Sequence, residues 1–136
     1  MSQVYADASL RHLAVRLMRE GLRVIDRAKI RLESLPEVSV GLTRLINWMP
    51  LGIAGRIAAA KVRRLTTEWP LWGSTLQSIQ RGRPTEIDYL NGEIVELGKR
   101  HGEVTPLNAK IVDLVHQVER TGQFLSVEEI RRVFRQ

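Results

Sequence analysis

Cysteine is absent from the 136 residues. No disulfide framework and no thiolate metal site can therefore be built. That suits a reducing compartment, and a cytoplasmic location is expected. Aromatic residues make up only 5% of the chain, too few for a platform on which single-stranded bases stack. Neither GxGxxG nor GxxxxGK[ST] occurs, so no phosphate-cradling glycine loop is present and no cofactor is expected to bind this chain alone. The longest mostly apolar run, "INWMPLGIAG", is broken by Pro50 and is far shorter than the ~20 residues that cross a bilayer. "MSQVYADASL" has neither a basic n-region nor an apolar h-region, so no secretory signal is expected. His12, His101 and His116 do not stand at metal-ligand spacing. They are expected on helix surfaces or half-buried, with His101 in a last helical turn, where positive charge suits the helix dipole. No metal site, catalytic residue or nucleophile–base pair is legible.

What is present is apolar residue and positive charge. Hydrophobic residues are 43% of the chain, enough for a core, and 21 Lys and Arg outnumber 15 Asp and Glu, giving a net charge of +6. An excess of this sign raises the prospect of nucleic-acid or anion binding. The basic residues are scattered over every helix and form no block. A solvated, arginine-rich surface is favoured over a nucleic-acid interface.

Apolar residues recur at helical spacing through Leu10, Leu13, Ala14, Leu17, Met18, Val24, Ile25 and Ala28, which predicts an amphipathic helix from about Ala8 to Ile30. Pro36 breaks the segment that follows. Leu42, Leu45 and Ile46 predict a short helix ending before Pro50. Ile53, Ile57, Ala58, Val62 and Leu65 predict another, and "TTEWPLWG" interrupts it. A helical run over Trp72–Gln80 is closed by the turn Arg81–Pro84. Ile87, Leu90, Ile94 and Leu97 mark the next helix, with Gly102 as its cap. Thr105 as N-cap and Pro106 at the first helical position open another, with Leu107, Ile111, Leu114, Val115 and Val118 inward. Ser126 and Glu129 form a capping box before the last helix, whose Val127, Ile130 and Phe134 face inward. No convincing strand alternation appears. The expected fold is a single all-α domain over residues 1–136, a bundle of about six or seven helices.

One segment carries more than a helix needs. Ser74 to Glu119 reads "STLQSIQRGRPTEIDYLNGEIVELGKRHGEVTPLNAKIVDLVHQVE". A serine-led helix, a short basic turn, "TEIDYLNG", a helix ending in His101-Gly102, and Pro106-x-Asn108 follow in that order. This combination resembles the C-terminal domain of ketopantoate reductase (2-dehydropantoate 2-reductase), a helical domain also similar to that of 6-phosphogluconate dehydrogenase-like proteins. Asp7 to Leu32 resembles the family's preceding helix more weakly.

The resemblance implies an oxidoreductase that reduces 2-dehydropantoate, a small 2-oxoacid, to pantoate with NADPH held by a separate Rossmann domain. By motif position, Glu86 implies contact with the substrate hydroxyl end and Ser74 a hydrogen bond to its carboxylate. The chemistry suits both, since a hydroxyl can donate to a carboxylate and a carboxylate can accept from an alcohol. Taken alone, Glu86 could simply complement a helix N-terminus and Ser74 could simply cap a helix. Arg81 or Arg83 is expected at the pocket rim and Tyr89 beside it. Asn91, ~140° round a regular helix from Glu86, is expected to support packing.

Two departures stand out. Ser78 occupies a position where the family commonly has aspartate. Lys29, Lys61, Lys99 and Lys110 do not match the family's catalytic lysine, whose helix would precede the part that Asp7 begins to match. The chain is thus expected to be a stand-alone or truncated substrate-side domain, inactive without a separate Rossmann-domain chain. A homo-oligomer is the other expected assembly, through the first helix or the region of Trp48, Trp69 and Trp72. The alternative is a non-catalytic interaction or dimerisation protein built on the same bundle.

Overall fold

The computed structural model of the chain describes residues 6–36, 38–68 and 74–135. The side chains of residues 65–68, 74 and 75 lie outside that description, as do Trp69, Pro70 and Trp72 altogether. Among the described residues there are seven α-helices, one π-helical turn and no strand. The all-α expectation holds. The contacts gather in two compact units, residues 1–70 and 71–136.

The first unit holds α1 (Ala8–Arg27), α2 (Val40–Trp48) and α3 (Leu51–Glu68). Asp7 begins α1 because its Oδ1 accepts from the amides of Ser9 and Leu10, at 2.9 and 3.1 Å. That satisfies two donors the first helical turn leaves without a partner. The helix stops at Arg27, three residues short of the expected end. The Lys29 amide donates to the Asp26 carbonyl and the Ile30 amide to the Ile25 carbonyl. These are the paired bonds of a Schellman stop, which requires a left-handed residue. Lys29 takes that conformation, with φ +57°, although it carries a Cβ. A lysine at such a place gives no stop signal in sequence.

The expected apolar stripe of α1 also needs correction. Val15 and Leu22 are buried, with Val15 only 1% exposed, while Ala14 is exposed. Leu10, Leu13, Glu20 and Val24 are buried as well. At ~100° per residue, Val15 and Leu22 lie roughly opposite that second group. α1 is buried on two faces, so the one-face pattern sought in the sequence was too narrow. Val15 packs with Ile46 and Ala54, flanked by Met18, Leu42, Met49, Leu51, Ile57 and Ala58. α2 ends before Pro50, as expected, and Ser39 caps its start. Arg44 grips Asp26 at 2.7 Å, and Arg19 donates to the Met49 carbonyl, tying α1 to α2.

The second unit holds α4 (Ser74–Gln80), the π turn (Asp88–Gly92), α5 (Glu93–His101), α6 (Pro106–Thr121) and α7 (Val127–Phe134). Gly82 ends α4 and Gly102 ends α5, both with positive φ, and each is followed by the same paired bonds. Pro106 opens α6, but the buried Thr105 makes no side-chain cap bond, contrary to its expected role. Ser126 and Glu129 do form the reciprocal capping box. Lys110 then donates to the Val133 carbonyl at 3.0 Å and lies 5.7 Å over the Phe134 ring. It pins the end of α7 against α6 by feeding a carbonyl that the last helical turn leaves unpaired.

Candidate functional site

The "TEIDYLNG" segment is held by three polar links to α6. The Thr85 amide donates to Glu119 Oε1 at 2.7 Å. His116 Nε2 lies 3.2 Å from both carboxylate oxygens of Asp88. Asn91 Nδ2 donates to Asn108 Oδ1 at 2.8 Å. Asn108 is almost wholly buried, and Thr85 and Ile87 are buried beside it. Asn108 lies in the first turn of α6, and His116 and Glu119 lie in its last turns, so segment and helix are fastened at both ends.

The Thr85 amide and hydroxyl hold the Glu119 carboxyl below the usual carboxylate range, with smaller help from His116 and Arg120. A carboxylate that accepts hydrogen bonds in its charged form is favoured in that form. Thr85 Oγ1 in turn accepts from the Ile87 amide at 3.2 Å. The threonine therefore shapes the bend before the helix as well as fixing its carboxylate.

Between these fixed residues, Glu86 and Tyr89 are exposed, Tyr89 at 81%. The Glu86 carbonyl accepts from the amides of both Tyr89 and Leu90, each at 3.1 Å. The backbone then widens into the π turn. Such turns insert an extra residue and turn the chain more slowly than an α-helix. That overturns the even spacing expected of Ile87, Leu90, Ile94 and Leu97. Ile87 is buried and Ile94 and Leu97 are half-buried, but Leu90 is rotated out and exposed. It also removes the regular 100° step on which the placement of Asn91 rested. Asn91 nonetheless serves packing, through Asn108.

Glu86 stands at the bend just ahead of the helical turn and is exposed. Ser74 is the first residue of α4, and its side chain lies outside the described residues, so its pairing with Glu86 remains an expectation. Arg81 and Arg83 are exposed on the turn between them. Ser78 acts through its backbone, its carbonyl accepting from Arg83 at 2.9 Å. A separate hollow of about 570 Å³ runs beside the α5–α6 loop, lined by Val95, Gly98, Lys99, Val104, Pro106 and Ala109 among others. It includes neither Glu86 nor Ser74.

The sequence reading missed the Asp88–His116 and Thr85–Glu119 links. They join residues 28 and 34 positions apart, which no local pattern encodes. A weak signal was available: His116 and Glu119 are three apart on one helix and share a face. Among the described residues no cluster of His, Asp and Glu could hold a metal ion. No helix there is long and apolar enough to cross a membrane.

The family model described as ketopantoate reductase PanE/ApbA C terminal matches residues 1–119. The 2-dehydropantoate 2-reductase of Aquifex aeolicus is 48% identical over 46 residues, 34% of this chain and 14% of that protein. That of Pyrococcus horikoshii is 43% identical over 51 residues, 38% of this chain and 17% of the relative. For the Archaeoglobus fulgidus enzyme the figures are 37% over 59 residues, 43% and 19%. The chain thus matches less than a fifth of the length of these curated relatives. No solved structure matches. With the family model spanning most of the chain and the motif fixed on α6 as a unit, the chain belongs to the ketopantoate reductase C-terminal domain family.

Proposed function

We propose that the chain supplies the substrate side of a ketopantoate reductase-like oxidoreductase, its two units acting as one helical module. The substrate is a small 2-oxoacid of the 2-dehydropantoate class, reduced to the corresponding 2-hydroxyacid. One observation carries this reading: the motif's inward residues are fastened to α6 while Glu86 and Tyr89 stay exposed. The fixed backbone thus presents the Glu86 carboxylate to solvent at a defined place on the bend. Glu86 accepts from the substrate hydroxyl, and Ser74 donates to its carboxylate. Tyr89 offers an apolar ring and a hydroxyl at the edge.

NADPH is the hydride source that membership in the family implies. The family resemblance assigns its binding to a Rossmann domain supplied from elsewhere in the assembly.

Calorimetric titration with 2-dehydropantoate and with pantoate tests the reading. Saturable binding is expected, weakened at least about tenfold in Glu86→Ala and in Ser74→Ala, the loss of a charge-assisted bond. Adding a family Rossmann domain should produce NADPH oxidation that Glu86→Ala impairs. Equal binding by wild type and both variants would overturn the proposal, as would saturable NADPH binding by this chain alone.

A second reading rests on exposed apolar surface. Trp48 is 86% exposed, and Leu45 on the same stripe of α2 and Ile53 on α3 are more than half exposed. Patches of this kind mark association surfaces. Under this reading the chain is a homo-oligomer, and Trp48→Ala should shift its sedimentation towards monomer. A wild-type chain that is monomeric at every concentration would dismiss it.

A further inference from the structure

The excess positive charge is not shared between the two units. Residues 1–70 carry twelve Lys and Arg against six Asp and Glu, whereas residues 71–136 carry nine of each. The whole net charge of +6 therefore belongs to the first unit. The longest stretch of that unit without Asp, Glu, Lys or Arg runs from Leu45 to Gly55, "LINWMPLGIAG", with Arg44 before it and Arg56 after it. It is the corner where α2 passes into α3 around Pro50.

The helical register sets what this corner displays. α2 buries Ile46 in the core, while Leu45 and Trp48, three residues apart on one face, point outward. Pro50 closes α2, and its carbonyl accepts from the amides of Ile53 and Ala54 at 3.0 and 2.9 Å, which starts α3 at once. Ala54 is wholly buried with Val15 and Ile46, which leaves Gly52 and Ile53 on the outer side. Leu45, Trp48 and Ile53 are each more than half exposed, and Trp48 is the most exposed large apolar side chain among the described residues. A side chain so open projects from the surface and does not line a groove. An arginine stands one turn behind the tip on each helix: Arg44 is four residues before Trp48, and Arg56 is three after Ile53. Both are exposed, and Arg44 is steadied by Asp26 at 2.7 Å.

We propose that this corner inserts into the surface of an anionic lipid bilayer. The Trp48 ring is apolar and its indole N–H can donate, a combination favoured at the membrane–water boundary. Leu45 and Ile53 gain by leaving water for the acyl boundary. Arginines one turn behind such a tip lay their stems along the lipid and keep their guanidinium groups at headgroup level, where anionic lipids attract them. The positive charge of the whole unit adds an attraction that reaches about a Debye length, ~10 Å. No helix among the described residues is long and apolar enough to cross a bilayer, so the seat is peripheral. A protein partner would need a pocket matched to each projecting side chain, whereas a bilayer yields to them. Self-association through the corner would set two positive units face to face, which like-charge repulsion opposes. The surface lies in the first unit and does not depend on the Glu86 reading.

The test is cosedimentation of the whole chain with vesicles of phosphatidylcholine alone and with vesicles that also contain phosphatidylserine, at low and at physiological salt. Binding to the phosphatidylserine vesicles is expected, weaker as salt rises, with little binding to phosphatidylcholine alone. Trp48→Ala should weaken it by roughly tenfold, the loss of one large apolar side chain taken out of water. Arg56→Ala should weaken it by about fivefold, the loss of one positive charge near the surface. Trp48→Phe should keep most of the binding, and Arg135→Ala, in the second unit, should leave it unchanged. Circular dichroism checks that these exposed-site variants fold. No binding to phosphatidylserine vesicles at low salt overturns the proposal, as does equal binding to both kinds of vesicle. Equal binding by wild type and the Trp48→Ala/Ile53→Ser double variant also overturns it, since charge alone would then hold the chain. So does self-association in sedimentation that Trp48→Ala abolishes while vesicle binding is unchanged, which would give the corner to a second copy. None of these outcomes bears on 2-oxoacid binding at Glu86, so the two proposals fail separately.

Discussion

Residues 71–136 hold their motif with directional bonds, whereas the core of residues 1–70 rests on apolar packing and the close approach of two helices, with polar ties only at its edge. In the second unit the Asn91–Asn108, Thr85–Glu119 and Asp88–His116 links fix both position and register. In the first, Val15, Ile46 and Ala54 form the core, and Gly55 lets α3 approach α1. Packing tolerates small shifts. Under the proposed function Glu86 meets one substrate oxygen, and a backbone set by bonds that fail at small displacements suits that role.

Overpacking the first unit is the most direct way to break that contrast. Gly55→Leu places a side chain where even a Cβ would sit 3.1 Å from Arg11. The expected loss is about 3 kcal/mol, at the upper end for overpacking. Urea denaturation measures it, and amide exchange should show α1 and α3 losing protection first. A variant as stable as wild type would show that the helices are not in close contact.

Cutting one directional bond in the second unit should cost less overall but more locally. Asn91→Ala removes the donor to the buried Asn108 oxygen, expected to cost about 1–2 kcal/mol. Substrate binding should fall with it although Asn91 touches no ligand, because the π turn that follows Glu86 loses its anchor. Unchanged binding with reduced stability would make Asn91 purely a folding residue.

These two variants also mark what the sequence made legible. Periodicity and caps were readable where the pattern is local: the Ser126–Glu129 box, the stop at Gly102, and the end of α2 before Pro50. The family likeness was readable because "TEIDYLNG" and its flanks lie within 46 residues. What was hidden depends on long-range or unusual backbone. Leu90 turns outward because a π turn interrupts a spacing that looks regular. Val15 is buried because α1 is covered on two faces, which a single-stripe reading cannot anticipate. The Glu119 link to Thr85 spans 34 residues, and nothing in either local segment announces it. Ser74, the other half of the expected site, has its side chain outside the described residues.

The Thr85–Glu119 bond gives the comparison a pH dependence. Folding lowers the Glu119 pKa, chiefly through the Thr85 hydrogen bonds. A carboxyl with a depressed folded pKa contributes stability that is fully present above its unfolded pKa of ~4.3 and lost as pH falls through the folded value. Stability of the second unit should therefore decline below about pH 5, and the decline should be shallower in Glu119→Gln. Glutamine keeps an acceptor for the Thr85 amide but cannot titrate. Equal acid slopes in the two proteins would remove Glu119 from the account.

The smallest expected effect is also the cleanest, because it exchanges one feature between the units. Gly82, Gly102 and Gly122 take positive φ in the second unit, whereas Lys29 takes φ +57° in the first. The left-handed conformation crowds a Cβ and costs a non-glycine residue about 1 kcal/mol. Lys29→Gly should remove that cost but give the unfolded chain more freedom, leaving a net gain of about 0.5 kcal/mol. Gly102→Lys should do the reverse and lose about 1 kcal/mol. No heavy atom lies within 4 Å of a Cβ built at Gly102, so the loss is conformational and not steric. Lys29 is exposed, which keeps packing out of the other half of the exchange. Chemical denaturation of the two variants should thus move in opposite directions. If Lys29→Gly destabilises instead, the lysine side chain contributes more than its backbone strain costs, and the helix stop in the first unit is not the weak copy of those in the second.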